Sequence, residues 1–195
     1  MSKIKYYIMD VETTGFSPVQ NEIIELTIIR AEDKARLTKI VKAENPKTAN
    51  YGSLKITGRT YADLKNGDKR ADVVKRISSF LEEDNLSPEH RCFICHNAKF
   101  DRQFIHAMFE AEKMTFPANL WLCTMNMSKS FGKKIGITKP KVGLKDAIAM
   151  LESKRVGGEH NSSDDAKNTY FLWQKLINEG IEPVDHIKRI QHYID

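Results

Sequence analysis

A chain of 195 residues, 41% apolar and 29% charged, is long enough to bury one α/β core and too short for two comfortable ones. No apolar run reaches the length of a membrane span, Met1-Ser2-Lys3-Ile4-Lys5 leads into a strand rather than a signal-peptide core, and three cysteines make no disulfide framework; a cytosolic protein is expected. The net charge of +5 suits a polyanionic partner without naming one.

Ile4 to Met9 reads as a short apolar strand that runs into Asp10-Val11-Glu12-Thr13-Thr14-Gly15. Residues i and i+2 of a strand point to the same face, so Asp10 and Glu12 aim at one point. Gly15, Pro18 and Asn21 form the next turn, and Glu22 to Arg30 and Leu37 to Val41 read as the second and third strands. Residues 45 to 58 are polar and irregular. Val73, Val74, Ile77, Phe80 and Leu81 recur at helical spacing, which predicts an amphipathic helix over 71–83. Arg91 to Cys95 reads as a central strand. Its Cys92-Phe93-Ile94-Cys95-His96 sequence has the spacing of a haem or zinc motif. Residues three apart in a strand face opposite ways, however, and no second cysteine pair completes a zinc site, so a buried strand is the better reading.

His96-Asn97-Ala98-Lys99-Phe100-Asp101 supplies a third carboxylate, at the start of a helix marked by Phe104, Ile105, Met108 and Phe109. The first turn of a helix favours an ionised carboxylate. Residues 129 to 141 hold five lysines and two glycines and read as a loop. That loop is either solvated or a flexible phosphate clamp, with Lys129, Lys133 and Lys134 on phosphates and Phe131 stacked on a base. Leu144, Ala147, Ile148 and Leu151 mark a further helix, and Gly157-Gly158 would let the following loop move. His160-Asn161-Ser162-Ser163-Asp164-Asp165-Ala166 brings the fourth carboxylate and opens the last large helix, through Trp173 to Ile177. Residues 183 to 194 read as a short terminal helix, with Ile187, Ile190 and Tyr193 on one side, packed back on the same domain or offered to a partner. Clustered carboxylates repel one another unless cations sit between them, and an all-oxygen set suits magnesium or manganese, not zinc.

Asp-x-Glu-Thr-Thr-Gly, His-Asn-Ala-x-Phe-Asp and His-x4-Asp-Ala, in that order, closely resemble the three motifs of the DEDDh family of 3′→5′ exonucleases, which includes proofreading subunits of bacterial DNA polymerases. Ile23-Ile24-Glu25-Leu26, Leu122-Cys123-Thr124-Met125 and Gly143-Leu144-Lys145-Asp146-Ala147 extend the resemblance over nearly the whole chain. It implies a ribonuclease H-like α/β fold: a central mixed five-stranded sheet flanked by helices, with an exonuclease domain over 1–180 and a tail over 181–195. It implies two divalent cations, Mg2+ or Mn2+, with Asp10 bridging both, Glu12 and Asp165 completing the first and Asp101 holding the second. His160 would be the general base that takes a proton from the attacking water. Thr13, Thr14 and Gly15 would lie beside the terminal nucleotide and bond its free 3′-hydroxyl, and Asn97 would lie near the scissile bond.

The implied substrate is the 3′ end of single-stranded DNA or RNA, cut to nucleoside 5′-monophosphates. The Asp-Val-Glu-Thr-Thr-Gly form looks more like the proofreading and repair branches than the oligoribonucleases, which leans toward DNA. A DNA polymerase or other replication partner is compatible with this, and the oligomeric state is left open. A different class of protein, a nucleic-acid-binding or polymerase-associated subunit without turnover, keeps such a fold while losing ligands. Here all five positions are filled.

Overall fold

The computed structural model describes residues 4–158 and 160–190. Its strands are β1 (Lys5–Thr13), β2 (Ile23–Arg30), β3 (Arg36–Ile40), β4 (Arg91–Cys95), β5 (Leu120–Cys123) and β6 (Ile187–Arg189). They form one mixed sheet in the order β3-β2-β1-β4-β5-β6. The helices are α1 (Tyr51–Ile56), α2 (Arg70–Glu82), α3 (Ala98–Glu110), α4 (Thr124–Lys134), α5 (Leu144–Met150) and α6 (Ser162–Asn178). Among the described residues no helix is long and apolar enough to cross a membrane.

Alternation along β1 sorts the molecule into two cores. Tyr7, Met9 and Val11 face α2 and α3, where they meet Val74, Ile77, Phe93, Phe104 and Phe109. Ile8 faces the other way, with Ile94 and Leu122, onto Met127 and Phe131 of α4 and Tyr170, Trp173 and Leu176 of α6. Asp10 and Glu12 share the parity of Ile8, so the strand that fills one core with alternate residues delivers both carboxylates to the α6 side. Cys92 and Cys95 fall into opposite cores, as a three-residue spacing in a strand requires.

The strands β1, β4 and β5 run parallel, so their C-terminal ends share one edge of the sheet. Ligands of open α/β sheets bind outside such an edge. On the other flank β1 pairs antiparallel with β2, Glu12 opposite Glu25, and the register slips after Glu12. A bulge there bends the strand into the Thr13-Thr14-Gly15 loop.

Two sequence expectations change. The sheet has six strands, not five, because residues read as the start of a terminal helix form a 3-10 turn (Pro183–His186) followed by β6, antiparallel to β5. Ile187 packs into one core and Ile190 into the other; that opposition at a spacing of three belongs to an extended strand, whereas a helix would place both on one side. Tyr193 lies outside the described residues. The lysine-rich stretch also begins as helix: Met127 and Phe131, four apart, are buried together on α4, and Gly132 lies against Pro140 where an added Cβ would come within 2.6 Å. Phe131 is 7% exposed and so cannot stack on a base.

Candidate active site

The last large helix fixes two adjacent aspartates in different directions. Asn161 caps α6, its side-chain oxygen accepting from the Asp164 amide at 3.2 Å. Asp164 pairs with Lys167 at 2.9 Å, and Gly157 packs on it so closely that an added Cβ would lie 1.9 Å from Asp164 Oδ2. Gly157 has φ +63°, so glycine serves close approach and a left-handed backbone there rather than loosening the loop. Asp165 turns inward. Its Oδ2 accepts from the His160 backbone N–H at 2.9 Å, and ligand atoms of Glu12, His160 and Asp165 lie within 4.8 Å of one another. Asp101 arrives from the other core, in the first turn of α3, 3% exposed and bonded to the Val11 amide.

The electrostatics follow from crowding. Burial pushes the Asp10 carboxyl well above the usual range, and Asp101, Glu12, Asp165 and Glu25 push it further. Burial, Asp165 and Glu25 hold Glu12 up at about 7 against the pull of Arg59. Burial carries Asp101 to about 8, although its own amide and that of Val11 favour the charged form and Glu12 adds to the rise. Carboxylates that retain protons near neutrality lack positive partners. The oxygen donors of Glu12 and Asp165, with the carboxyls of Asp10 and Asp101 close enough to feel their charge, fit hard divalent cations.

The neighbouring loop is held rather than loose. The Thr13 hydroxyl donates to the Gly15 carbonyl at 2.6 Å, and the fully buried Thr14 hydroxyl accepts from the Glu22 amide at 2.9 Å. Gly15 leaves room for Asn21, whose Oδ1 a Cβ would meet at 2.4 Å; Asn21 in turn binds the Ser17 amide and the Thr48 carbonyl. Beyond this clamp Phe16 stands 71% exposed. His96 is tied down as well. Its Nε2 lies 2.8 Å from the Val142 carbonyl and its Nδ1 2.9 Å from Thr124 Oγ1, which assigns the proton to Nε2. Burial lowers it to about 4, so it is a neutral strut between β4, α4 and the approach to α5.

Of the expected phosphate contacts, Lys129 lines a groove with Asn97, which is exposed and left-handed (φ 73°) at the start of α3. Lys133 is exposed near the far end of α4, where Lys134 donates to the Glu179 carbonyl at 2.6 Å.

Against this geometry, residues 7–172 match the family model described as Exonuclease. The chain belongs to the exonuclease family. It is 25% identical over 190 residues to the PolC-type DNA polymerase III of Latilactobacillus sakei, covering 96% of this chain and 12% of that protein. The exonuclease chain therefore spans about an eighth of such relatives. Its fold matches the nuclease domain of 3'hExo, a DEDDh family member bound to rAMP, with a TM-score of 0.75 at 19% identity, covering 97% of this chain and 98% of the other. It also matches E. coli Exonuclease I in complex with a dT13 oligonucleotide, TM-score 0.74 at 16% identity, covering 93% and 42%. The chain thus carries an exonuclease-family domain with the fold of these nucleases.

Sequence reading missed one acidic residue beside this cluster. Glu25, 6% exposed beside Glu12, accepts from the Ser162 amide at 3.1 Å and the Ser162 hydroxyl at 2.8 Å, and it is ion-paired with Arg59. The clue was legible: a lone glutamate among Ile23-Ile24 and Leu26-Thr27-Ile28-Ile29 is a buried charge, and buried charges have partners. Arg59, 34 positions away, offered no such clue.

Proposed function

We propose that the chain is a divalent-cation-dependent 3′→5′ exonuclease that removes nucleoside 5′-monophosphates from the 3′ end of single-stranded nucleic acid, DNA in preference to RNA. The observation that carries this reading is the gathering of Asp10, Glu12, Asp101 and Asp165 at the sheet edge, where burial and mutual repulsion raise the first three carboxyls, with the His160 ring beside Glu12 and Asp165. Asp10, Glu12, Asp101 and Asp165 would hold magnesium or manganese, which would supply Lewis-acid activation of the attacking water and neutralisation of charge on the departing oxygen.

The chain's own groups do the rest. His160, anchored through its amide to Asp165, takes the proton of the attacking water on an imidazole nitrogen as the new P–O bond forms. The P–O3′ bond breaks, the shortened strand keeps the 3′-oxygen, and the terminal nucleotide leaves with its phosphate on the 5′ carbon. The clamped Thr13-Thr14-Gly15 loop sets the depth at which a strand end stops, and the exposed ring of Phe16 offers a stacking surface to the last base. The likeness to PolC-type polymerases supports a proofreading setting, in which a polymerase presents the strand end.

The test is a 5′-labelled single strand, as DNA and as RNA, incubated with wild type, Asp10→Ala and His160→Gln in magnesium or manganese. Wild type should give a descending ladder, faster on DNA. Asp10→Ala should give none, and His160→Gln should be slowed by about 10²–10⁴-fold. Intact oligonucleotide under every condition, or a ladder from Asp10→Ala equal to wild type, rules the reading out.

A further inference from the structure

Beside the carboxylate cluster lies a second depression of opposite character. It opens where β4 and β5 end, between the first turns of α3 and α4, with β6 along its outer wall, and its volume is about 310 Å3. Lys99 and Arg102 enter it from α3, Lys129 from α4, and His186 and Lys188 from the segment that forms the edge strand. Among the described residues no acidic side chain lines it. Arg30, Lys39, Arg59, Arg70, Arg91 and Lys167, outside the groove, all pair with carboxylates. Among the described residues no ion pair engages Lys99, Arg102, Lys129 or Lys188.

Two further features point the same way. The helices α3 and α4, 13 and 11 residues long, both start at this groove, and neither the Asn97 nor the Cys123 side chain caps its helix. The positive ends of two helix dipoles thus adjoin the four cations. Arg102 is partly buried, and among the described residues no carboxylate pairs with it. A desolvated cation without a partner is unfavourable in the free protein and is relieved by an anion.

We infer that this groove seats the phosphodiester backbone of nucleic acid away from the scissile bond. The inference rests on the exonuclease reading, because it is position that distinguishes a polymer backbone from any other anion. Asp101 belongs to the cluster while its helix neighbours Lys99 and Arg102 belong to the groove, so one turn of α3 divides the cutting point from the seat. Two sources of backbone fit: the scissile strand's own phosphates or those of a complementary strand. Lys129 keeps the phosphate-binding role suggested by its sequence, and Lys99, Arg102 and Lys188 join it in place of Lys133 and Lys134.

Anisotropy of a labelled oligonucleotide, protected by a phosphorothioate at its 3′-terminal linkage, measures the seat without turnover. Wild type and Lys99→Gln/Arg102→Gln/Lys188→Gln are titrated in magnesium between about 50 and 300 mM salt, with a single strand and with a hairpin bearing a recessed 3′ end. A control, Lys34→Gln/Lys75→Gln/Arg76→Gln, removes the same charge from exposed positions outside the groove. The groove variant should bind at least tenfold more weakly at low salt, with a slope of log K against log salt flatter by about 2. Loss on the single strand assigns the seat to the scissile strand, and loss confined to the hairpin assigns it to the complement. Unchanged affinity and slope on both substrates, or an equal change in the control, overturns the inference. Hydrolysis of the p-nitrophenyl ester of thymidine 5′-monophosphate by wild type, a substrate too short for the groove, checks the cluster's chemistry separately; failure there strikes the exonuclease reading and leaves the binding result to decide the groove.

Discussion

Two buried carboxylate neighbourhoods lie at opposite ends of the same parallel strands and behave in opposite ways. At the N-terminal edge, Asp84 accepts from Arg91 Nε and Nη2 at 2.9 and 2.7 Å, from the Tyr7 hydroxyl at 2.7 Å and from the Leu86 amide at 2.8 Å. Burial pushes its carboxyl up, and these bonds, with the Arg91 charge, more than reverse the push. At the C-terminal edge, Asp10, Glu12 and Asp101 are pushed up and stay up. One end satisfies its charge internally; the other leaves a deficit that only a ligand can fill. The fold tolerates the second because strands, helices and both apolar cores are fixed elsewhere.

The widest break in this comparison comes at the satisfied end. Asp84→Ala strands a guanidinium that is 3% exposed and removes the acceptor of Tyr7, so it should cost about 3–5 kcal/mol. For a domain of this size that lowers Tm by roughly 10 °C. Exonuclease turnover at 25 °C should stay near wild type, since Arg91 pairs across from Lys5 at the edge away from the site. A thermal melt within a degree or two of wild type would mean that the pair is dispensable.

The deficient end predicts a pH dependence with a definite sign. Glu12 and Asp101 sit at about 7 and about 8, above their ordinary values, so the folded protein binds protons that the unfolded chain releases. Their stabilising effect is complete at low pH and is lost as pH rises through 7 to 8. Divalent cations fill the same role once the protons leave. The gain in Tm on adding magnesium should therefore be near zero at pH 5.5 and should grow to pH 8.5, corresponding to about 2.7 kcal/mol at a hundredfold excess over Kd. His96, depressed to about 4, pulls the other way, destabilising as pH falls below its unfolded value, but equally with and without the metal. The difference between magnesium and EDTA isolates the carboxylates; a gain independent of pH would count against their coupling.

How far these two ends were legible in the sequence depends on whether the information was local. Asp10 and Glu12 were readable because strand parity is local, and Asp101, His160 and Asp165 because short motifs fix their spacing. The Asp84–Arg91–Tyr7 knot was not, since Tyr7 and Asp84 lie 77 positions apart and nothing nearby in sequence pairs them. Phe131 was misread because lysines and glycines around it hide a two-residue helical stripe with Met127. The strand β6, three residues long, exists only because β5 offers it an edge, and no periodicity of its own announces it.

The narrowest test uses the residue that belongs to both kinds of neighbourhood. Glu25 adds its charge to the crowding at Asp10 and Glu12, yet it is itself paired with Arg59 and holds the amide and hydroxyl of Ser162. Through Ser162 it pins the first turn of α6, three residues before Asp165. Ser162 Oγ also lies 2.9 Å from Thr27 Oγ1, so the pin has a second point on β2. Glu25→Gln removes one charge and turns an acceptor into a mixed donor and acceptor, which should cost about 2 kcal/mol of stability. If Glu25 acts by position, exonuclease activity should fall while the pH midpoint of the cluster drops, because one source of repulsion is gone but Asp165 is less well held. If it acts only as surplus charge, the midpoint should drop with activity intact at neutral pH. Ser162→Ala separates the two, since it loosens the pin and leaves the charge in place: a fall in activity there without a shift of the midpoint assigns Glu25 to positioning.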